Sequence, residues 1–115
     1  MRVISQDGTI DVPYELSAVT IGHKVDLSKF NINIRSKLLD ERPCIVATYS
    51  TETKATKAME MLREQYGKLE VMKVLASGTA EYMEKSLATD EMVKHYNTYC
   101  DMNVFQFPQD DEIEV

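Results

Sequence analysis

Tryptophan is missing from this chain, glycine occurs only four times in 115 residues, and histidine and cysteine occur twice each. The glycines form neither GxGxxG nor GxxxxGK, so the glycine-rich loops that cradle phosphates in dinucleotide-binding and P-loop folds are excluded. His23 and His95 lie far apart in sequence and belong to no H-x-x-x-H or H-E-x-x-H pattern, which removes the usual helical zinc arrangements. Cys44 and Cys100 have no CxxC spacing and no flanking His/Cys cluster, and they read as two free thiols of a reducing compartment. No apolar run approaches the length of a membrane span, and no basic-then-apolar leader opens the chain. A cytoplasmic protein is expected.

Positive charge is also scarce. The formal net charge is -6, but Asp110, Asp111, Glu112 and Glu114 fall in the last six residues, which leaves the body close to neutral. Such a body has no basic stripe for duplex nucleic acid, yet it has room for a local positive pocket. Carboxylates cluster only in the tail, where they face solvent, and a Cys100/His95 pair lacks a placed third partner. The sequence therefore supplies no catalytic constellation, no metal site and no cofactor motif, and points away from an enzyme.

What is present reads as an α+β domain over residues 1–108, followed by an acidic tail, residues 109–115. Residues 2–5 and 9–12 flank Gln6-Asp7-Gly8, which is hairpin chemistry, and Pro13 ends the second strand because it cannot donate to a ladder. Residues 17–23 alternate, and residues 30–35 do so most clearly, with Phe30, Ile32 and Ile34 on one face and Asn31, Asn33 and Arg35 on the other. Residues 23–26 suggest a turn and residues 38–42 an exposed connection. The run Cys44–Tyr49 is a further strand, giving an N-terminal antiparallel meander.

A helix follows, with Ser50 as its cap and Glu52 in the first turn. Ala55, Ala58, Met59, Leu62 and Tyr66 make one stripe at helical spacing, and Gly67 is expected to close the helix in the left-handed conformation. Leu69, Met72 and Leu75 suggest a separate short helical piece, broken at Ser77-Gly78-Thr79. Thr79 then caps residues 80–88, and Thr89 or Asp90 caps a last helix through Tyr99. Residues 103–107 form a short strand stopped by Pro108, and the tail is expected to be disordered unless a partner takes Ile113 and Val115. Phe105 and Phe107 in that strand, together with the helical tyrosines and methionines, suggest a homo-oligomer.

The residues suited to ligand binding are Asn31, Asn33 and Arg35, where two amides and a guanidinium alternate along one strand face and can address a base edge and a phosphate together. Tyr82, Tyr96 and Tyr99 can stack on a base, and Arg42 or Arg63 can pair an anion. The same tyrosines would serve equally as core or subunit contacts.

Three blocks carry a family resemblance. The opening Met-Arg-Val-Ile-Ser-Gln-Asp-Gly-Thr-Ile-Asp-Val-Pro-Tyr-Glu, the Ala-Thr-Tyr-Ser-Thr-Glu and Lys-Ala-Met-Glu-Met-Leu-Arg-Glu within residues 47–64, and the closing Phe-Gln-Phe-Pro-Gln-Asp-Asp-Glu-Ile-Glu-Val resemble small accessory proteins encoded by phages and prophages of Gram-positive bacteria. The layout is similar to that of the Thoeris anti-defence sponges, oligomers that sequester cyclic ADP-ribose-type immune signals without cleaving them. The resemblance implies an anti-defence protein of the host cytoplasm that holds a nucleotide second messenger, of cyclic ADP-ribose or cyclic oligonucleotide type, as a homo-oligomer. It assigns no ligand residue. The alternative is an inhibitor that docks on a host protein through its helical surface and acidic tail.

Overall fold

The computed structural model describes residues 1–23, 29–40, 42–76 and 89–114. The chain is α+β, with its strands mainly N-terminal and its helices C-terminal. It divides into two compact units, one of Met1–Leu62 with Val104–Val115 and one of Arg63–Asn103.

Among the described residues the first unit holds two three-stranded sheets. In one, β1 (Arg2–Ile4) and β2 (Asp11–Pro13) form the expected hairpin, and β6 (Val104–Gln106) lies parallel to β1 on its other side. Gly8 supplies the positive φ of the turn, 78°. The Asp7 carboxylate organises the turn by accepting from the Ser5 hydroxyl at 2.7 Å and from the Thr9 amide and hydroxyl at 3.0 and 2.7 Å. These bonds stabilise the ionised form, and they hold the Asp7 carboxyl down at about 2, with the Ser5 hydroxyl as the largest cause.

The second sheet is a meander of β3 (Ser17–His23), β4 (Phe30–Ser36) and β5 (Cys44–Tyr49), in that spatial order. Between β4 and β5 the register slips, because Ile32 faces Ala47 while Asn33 faces Ile45, so Val46 is the extra residue of a bulge. The bulge lets Val46, Ala47 and Tyr49 all be buried while Ile45 stays exposed. A strictly alternating strand could not do both.

Gln6 joins the two sheets by completing the outer edge of β5. Its amide donates to the Val46 carbonyl at 2.7 Å, its side-chain oxygen accepts from the Thr48 amide at 2.9 Å, and its Nε2 donates to the carbonyls of Thr48 and Pro108 at 3.3 and 2.9 Å. One residue, through its backbone amide and its side chain, thereby satisfies edge groups that would otherwise be lost to burial.

The core of this unit comprises Val3, Val12, Ile32, Ile34, Val46, Ala47, Tyr49, Phe105, Phe107 and Ile113, with Ala55, Ala58 and Leu62 from the first part of α1 (Glu52–Leu75). The small alanines bring the helix close to the sheet, as the stripe implies. Several details differ from the sequence reading. Thr51 caps α1, its hydroxyl accepting from the Lys54 amide at 3.2 Å, because Ser50 is engaged with Asp110. Gly67 does not close the helix; it sits inside α1, without a positive φ, and the turns carrying Leu69, Met72 and Leu75 continue the same helix.

The tail is also not disordered through residue 114. The Glu112 carboxylate accepts from the Gln109 amide at 2.8 Å, and the Glu112 amide donates to the Gln109 carbonyl at 3.1 Å, around a 3-10 turn, Asp110–Glu112, and Ile113 is 5% exposed in the core. Phe105 and Phe107 meet edge to face with centroids 5.3 Å apart, both buried in their own chain, so they supply no surface for a second copy.

The second unit contains the rest of α1 and α2 (Asp90–Met102). Thr89 caps α2 by accepting from the Met92 amide at 3.2 Å, with Asp90 and Glu91 in the first turn. The Gln65 side chain donates to the Met102 carbonyl at 2.9 Å, and Leu69 is buried. Of the turn expected over residues 23–26, His23 is the last residue of β3 instead, and residues 24–26, the break at 77–79 and the helix expected over 80–88 lie outside the described residues.

Candidate functional site

On β4, Phe30, Ile32 and Ile34 face the core, and Asn31, Asn33 and Arg35 occupy the opposite face. Pairing with β3 places Ala18 beside Arg35, Thr20 beside Asn33 and Gly22 beside Asn31 on that outer face. Every β3 residue there is small. The consequence shows at Gly22, where an added Cβ would stand 2.8 Å from Asn33 Nδ2. Asn33 therefore lays its amide over the backbone of β3.

Where Arg35 ends this row, an open hollow of about 410 Å³ is lined by Glu15, Leu16, Ser17, Ala18, Arg35 and Lys37. Two cations converge on it, and neither forms an ion pair among the described residues. The negative charge at its rim is already engaged, since Glu15 accepts from the N-terminal ammonium at 2.6 Å. The Ser17 hydroxyl donates to the Pro13 carbonyl at 2.7 Å, which commits its proton, and exposed Leu16 adds an apolar wall. Small-ligand sites commonly enclose roughly 300–1,000 Å³. A guanidinium and an ammonium with a polar strand face beside them suit a phosphate carrying a polar group.

Of the residues singled out from sequence, Asn33 and Arg35 lie together on this face. Asn31 shares it but is 5% exposed, and its Oδ1 accepts from the Thr48 hydroxyl at 3.0 Å, so its carbonyl is already in use. Arg42 is exposed just before β5, at the same end of the sheet as Arg35 but not lining the hollow. Arg63, exposed on α1, and Tyr96 and Tyr99, half-buried on α2, belong to the second unit. The Tyr96 phenol is held above its usual value chiefly by hydrogen bonding with the Cys100 thiol one helical turn on. Tyr82 lies outside the described residues.

Lys37, Ser17 and Leu16 line the hollow without having been singled out. The signal was available: Lys37 follows Arg35 by two residues, a spacing that keeps two cations close wherever the strand ends. A second hollow of about 330 Å³ lies on α1 against Glu52, Thr53, Thr56, Lys57 and Glu60, where two carboxylates accompany a single cation.

Among the described residues no group of three or more His, Cys, Asp or Glu side chains is placed to hold a metal ion, and no helix is long and apolar enough to cross a membrane. No protein-family model, no curated protein and no solved structure matches the chain.

Proposed function

We propose that this protein is a binding module that takes a phosphate of a small nucleotide-type molecule in the hollow over Arg35 and Lys37 and retains the molecule unchanged. The observation that carries this reading is the convergence of two cations, without ion-pair partners among the described residues, on an open hollow at the end of a strand face bearing the Asn33 amide. A guanidinium binds phosphate in a bidentate fashion, the ammonium adds a point charge, and an adjacent amide can address a base or ribose edge.

The resemblance of the opening and closing blocks to phage-encoded accessory proteins supplies a setting for that binding. In it, the protein withdraws a nucleotide-derived immune signal, of cyclic ADP-ribose or cyclic oligonucleotide type, from the cytoplasm of an infected cell. Docking on a host protein through the tail has less to draw on, because Asp110 and Ile113 are engaged within the chain's own fold.

The test is thermal unfolding with cyclic ADP-ribose or ADP-ribose, followed by denaturation and mass spectrometry of the released ligand. Binding to the folded state alone at a hundredfold excess over Kd raises stability by about 2.7 kcal/mol. A rise in melting temperature with the ligand recovered intact supports the reading. Recovery of a cleaved product replaces it with an enzyme, and absence of any shift with either probe counts against a nucleotide ligand.

A further inference from the structure

Among the described residues strand β3 is an edge, because the order of its sheet is β3-β4-β5. It is seven residues long, pairs with β4 without a bulge, and reads Ser-Ala-Val-Thr-Ile-Gly-His, with no proline and no Lys, Arg, Asp or Glu. Protein sheets ordinarily guard such edges with charge, proline, a bulge or a covering segment. Here the first three are missing. Ala18, Thr20 and Ile21 are exposed, and the Ser17 amide at the start of the strand donates to the Tyr14 carbonyl, but among the described residues no backbone hydrogen bond joins the far side of Ala18–Gly22 to anything.

We infer that β3 pairs antiparallel with β3 of a second copy about a two-fold axis at Thr20, and that the trough so formed binds a two-fold symmetric, doubly phosphorylated ligand of the cyclic dinucleotide class. This rests on the reading of the Arg35 hollow above. Centring on Thr20 overlaps all seven residues, sets Val19 against Ile21 of the other copy on the core side, and covers an Ile21 that is 37% exposed. No like charges oppose each other anywhere along the seam.

On the outer side the seam becomes a floor of Ala18, Thr20 and Gly22 from each copy, with Ala18 opposite Gly22 and the two Thr20 residues at the axis. The flanking β4 strands stand about 14 Å apart, three spacings of about 4.8 Å. Each wall carries Asn33, whose amide already leans over Gly22, and Arg35. The axis puts the two Arg35 residues at diagonally opposite corners, with Cα atoms roughly 20 Å apart, so that their side chains reach inward from two sides. Two guanidinium groups and two Lys37 ammonium groups, related by a two-fold axis, match a ring bearing two phosphates better than they match a single anion. A foreign strand added to the same edge would contribute no second Arg35.

The experiment is sedimentation analysis of the full chain from low to high micromolar concentration, with calorimetric titration of cyclic di-AMP. The expected result is a dimer that takes one cyclic di-AMP per two chains. Ile21→Lys, whose side chain lies on the face away from the trough, gives a monomer with an unchanged circular dichroism spectrum and binding weakened by about a hundredfold, the loss expected when one half of a bivalent site is removed. If Ile21→Lys loses its spectrum, Thr20→Glu, which opposes two carboxylates at the axis, reads the oligomeric state instead, and a dimer surviving it overturns the pairing. A chain that stays monomeric and binds ADP-ribose one to one through Arg35 overturns this inference and leaves the hollow reading standing. An Arg35→Ala variant that binds as well as the parent overturns the hollow reading itself.

Discussion

The Asp110 carboxylate accepts from both the backbone amide and the hydroxyl of Ser50, at 2.8 and 3.0 Å, across sixty residues of sequence. Lys54 adds its ammonium, donating to the Asp110 carbonyl at 2.9 Å and to the carboxylate at 3.3 Å. The acidic segment thus latches the start of α1, and Tyr49 completes the contact by donating its hydroxyl to the Pro108 carbonyl at 2.8 Å.

Asp110→Ala is expected to destabilise the protein by about 1 kcal/mol, the lower end for hydrogen bonds to a charged group, since Asp110 is partly exposed. Deleting residues 109–115 should cost more, about 2–4 kcal/mol, because Ile113 leaves the core as well. Urea denaturation measures both. A truncated chain as stable as the parent would show that the latch does not hold. Loss of partner binding on truncation would reflect this loosening, so Asp111→Asn with Glu114→Gln is the cleaner probe of a docking role for the tail.

Gly67 lies inside α1, and a Cβ there would meet nothing within 4 Å. Gly67→Ala is therefore expected to stabilise the fold by about 0.5–1 kcal/mol through helix propensity and a less flexible unfolded chain. A lowered urea midpoint would instead show that the helix is interrupted at that residue, as the sequence alone suggests.

Acid sensitivity follows from depressed carboxylates. Asp7 titrates at about 2 against an ordinary 3.8, held down first by the Ser5 hydroxyl, and Asp110 is lowered chiefly by the Ser50 amide. The unfolded chain takes up protons before these folded groups do. Their contribution is therefore fully present above the ordinary carboxylate value and is lost as the pH falls below it, for Asp7 down toward about 2. Melting temperatures measured over that range should fall more steeply for the parent than for Asp7→Asn, and identical slopes would remove Asp7 from the account.

Much of the fold was legible because it is local. The Asp7-Gly8 hairpin, the alternation of Phe30, Ile32 and Ile34, the Ala55/Ala58/Leu62 stripe and the Thr89 cap all follow from residues within a few positions of one another. What stayed hidden depends on distant partners. The parallel pairing of β6 with β1, the Val46 bulge completed by Gln6, and the capture of Ser50 by Asp110 each join segments that no local pattern relates. At the candidate site the same division holds. Strand periodicity put Asn33 and Arg35 on one face, whereas Ser17 and Leu16 reach the hollow only because β3 is registered against the end of β4.

Gly22→Ala tests the site with little cost to the fold. The added methyl meets the end of the Asn33 side chain, which can swing away, so stability should change by less than about 1 kcal/mol. The displaced amide no longer leans over β3, and nucleotide affinity should fall by about fivefold, near the value of one neutral hydrogen bond. Calorimetry and urea melts together separate the two effects. Unchanged affinity would take Asn33 out of the site.

The most direct measurement is the calorimetric affinity of the parent chain and of Arg35→Ala for ADP-ribose, at low and at raised salt. A charge-assisted contact removed from the lining of the hollow should weaken binding by about tenfold or more, and the parent's affinity should fall as salt screens the exposed cations. Equal affinities for the two proteins would contradict the assignment of the hollow as the phosphate site.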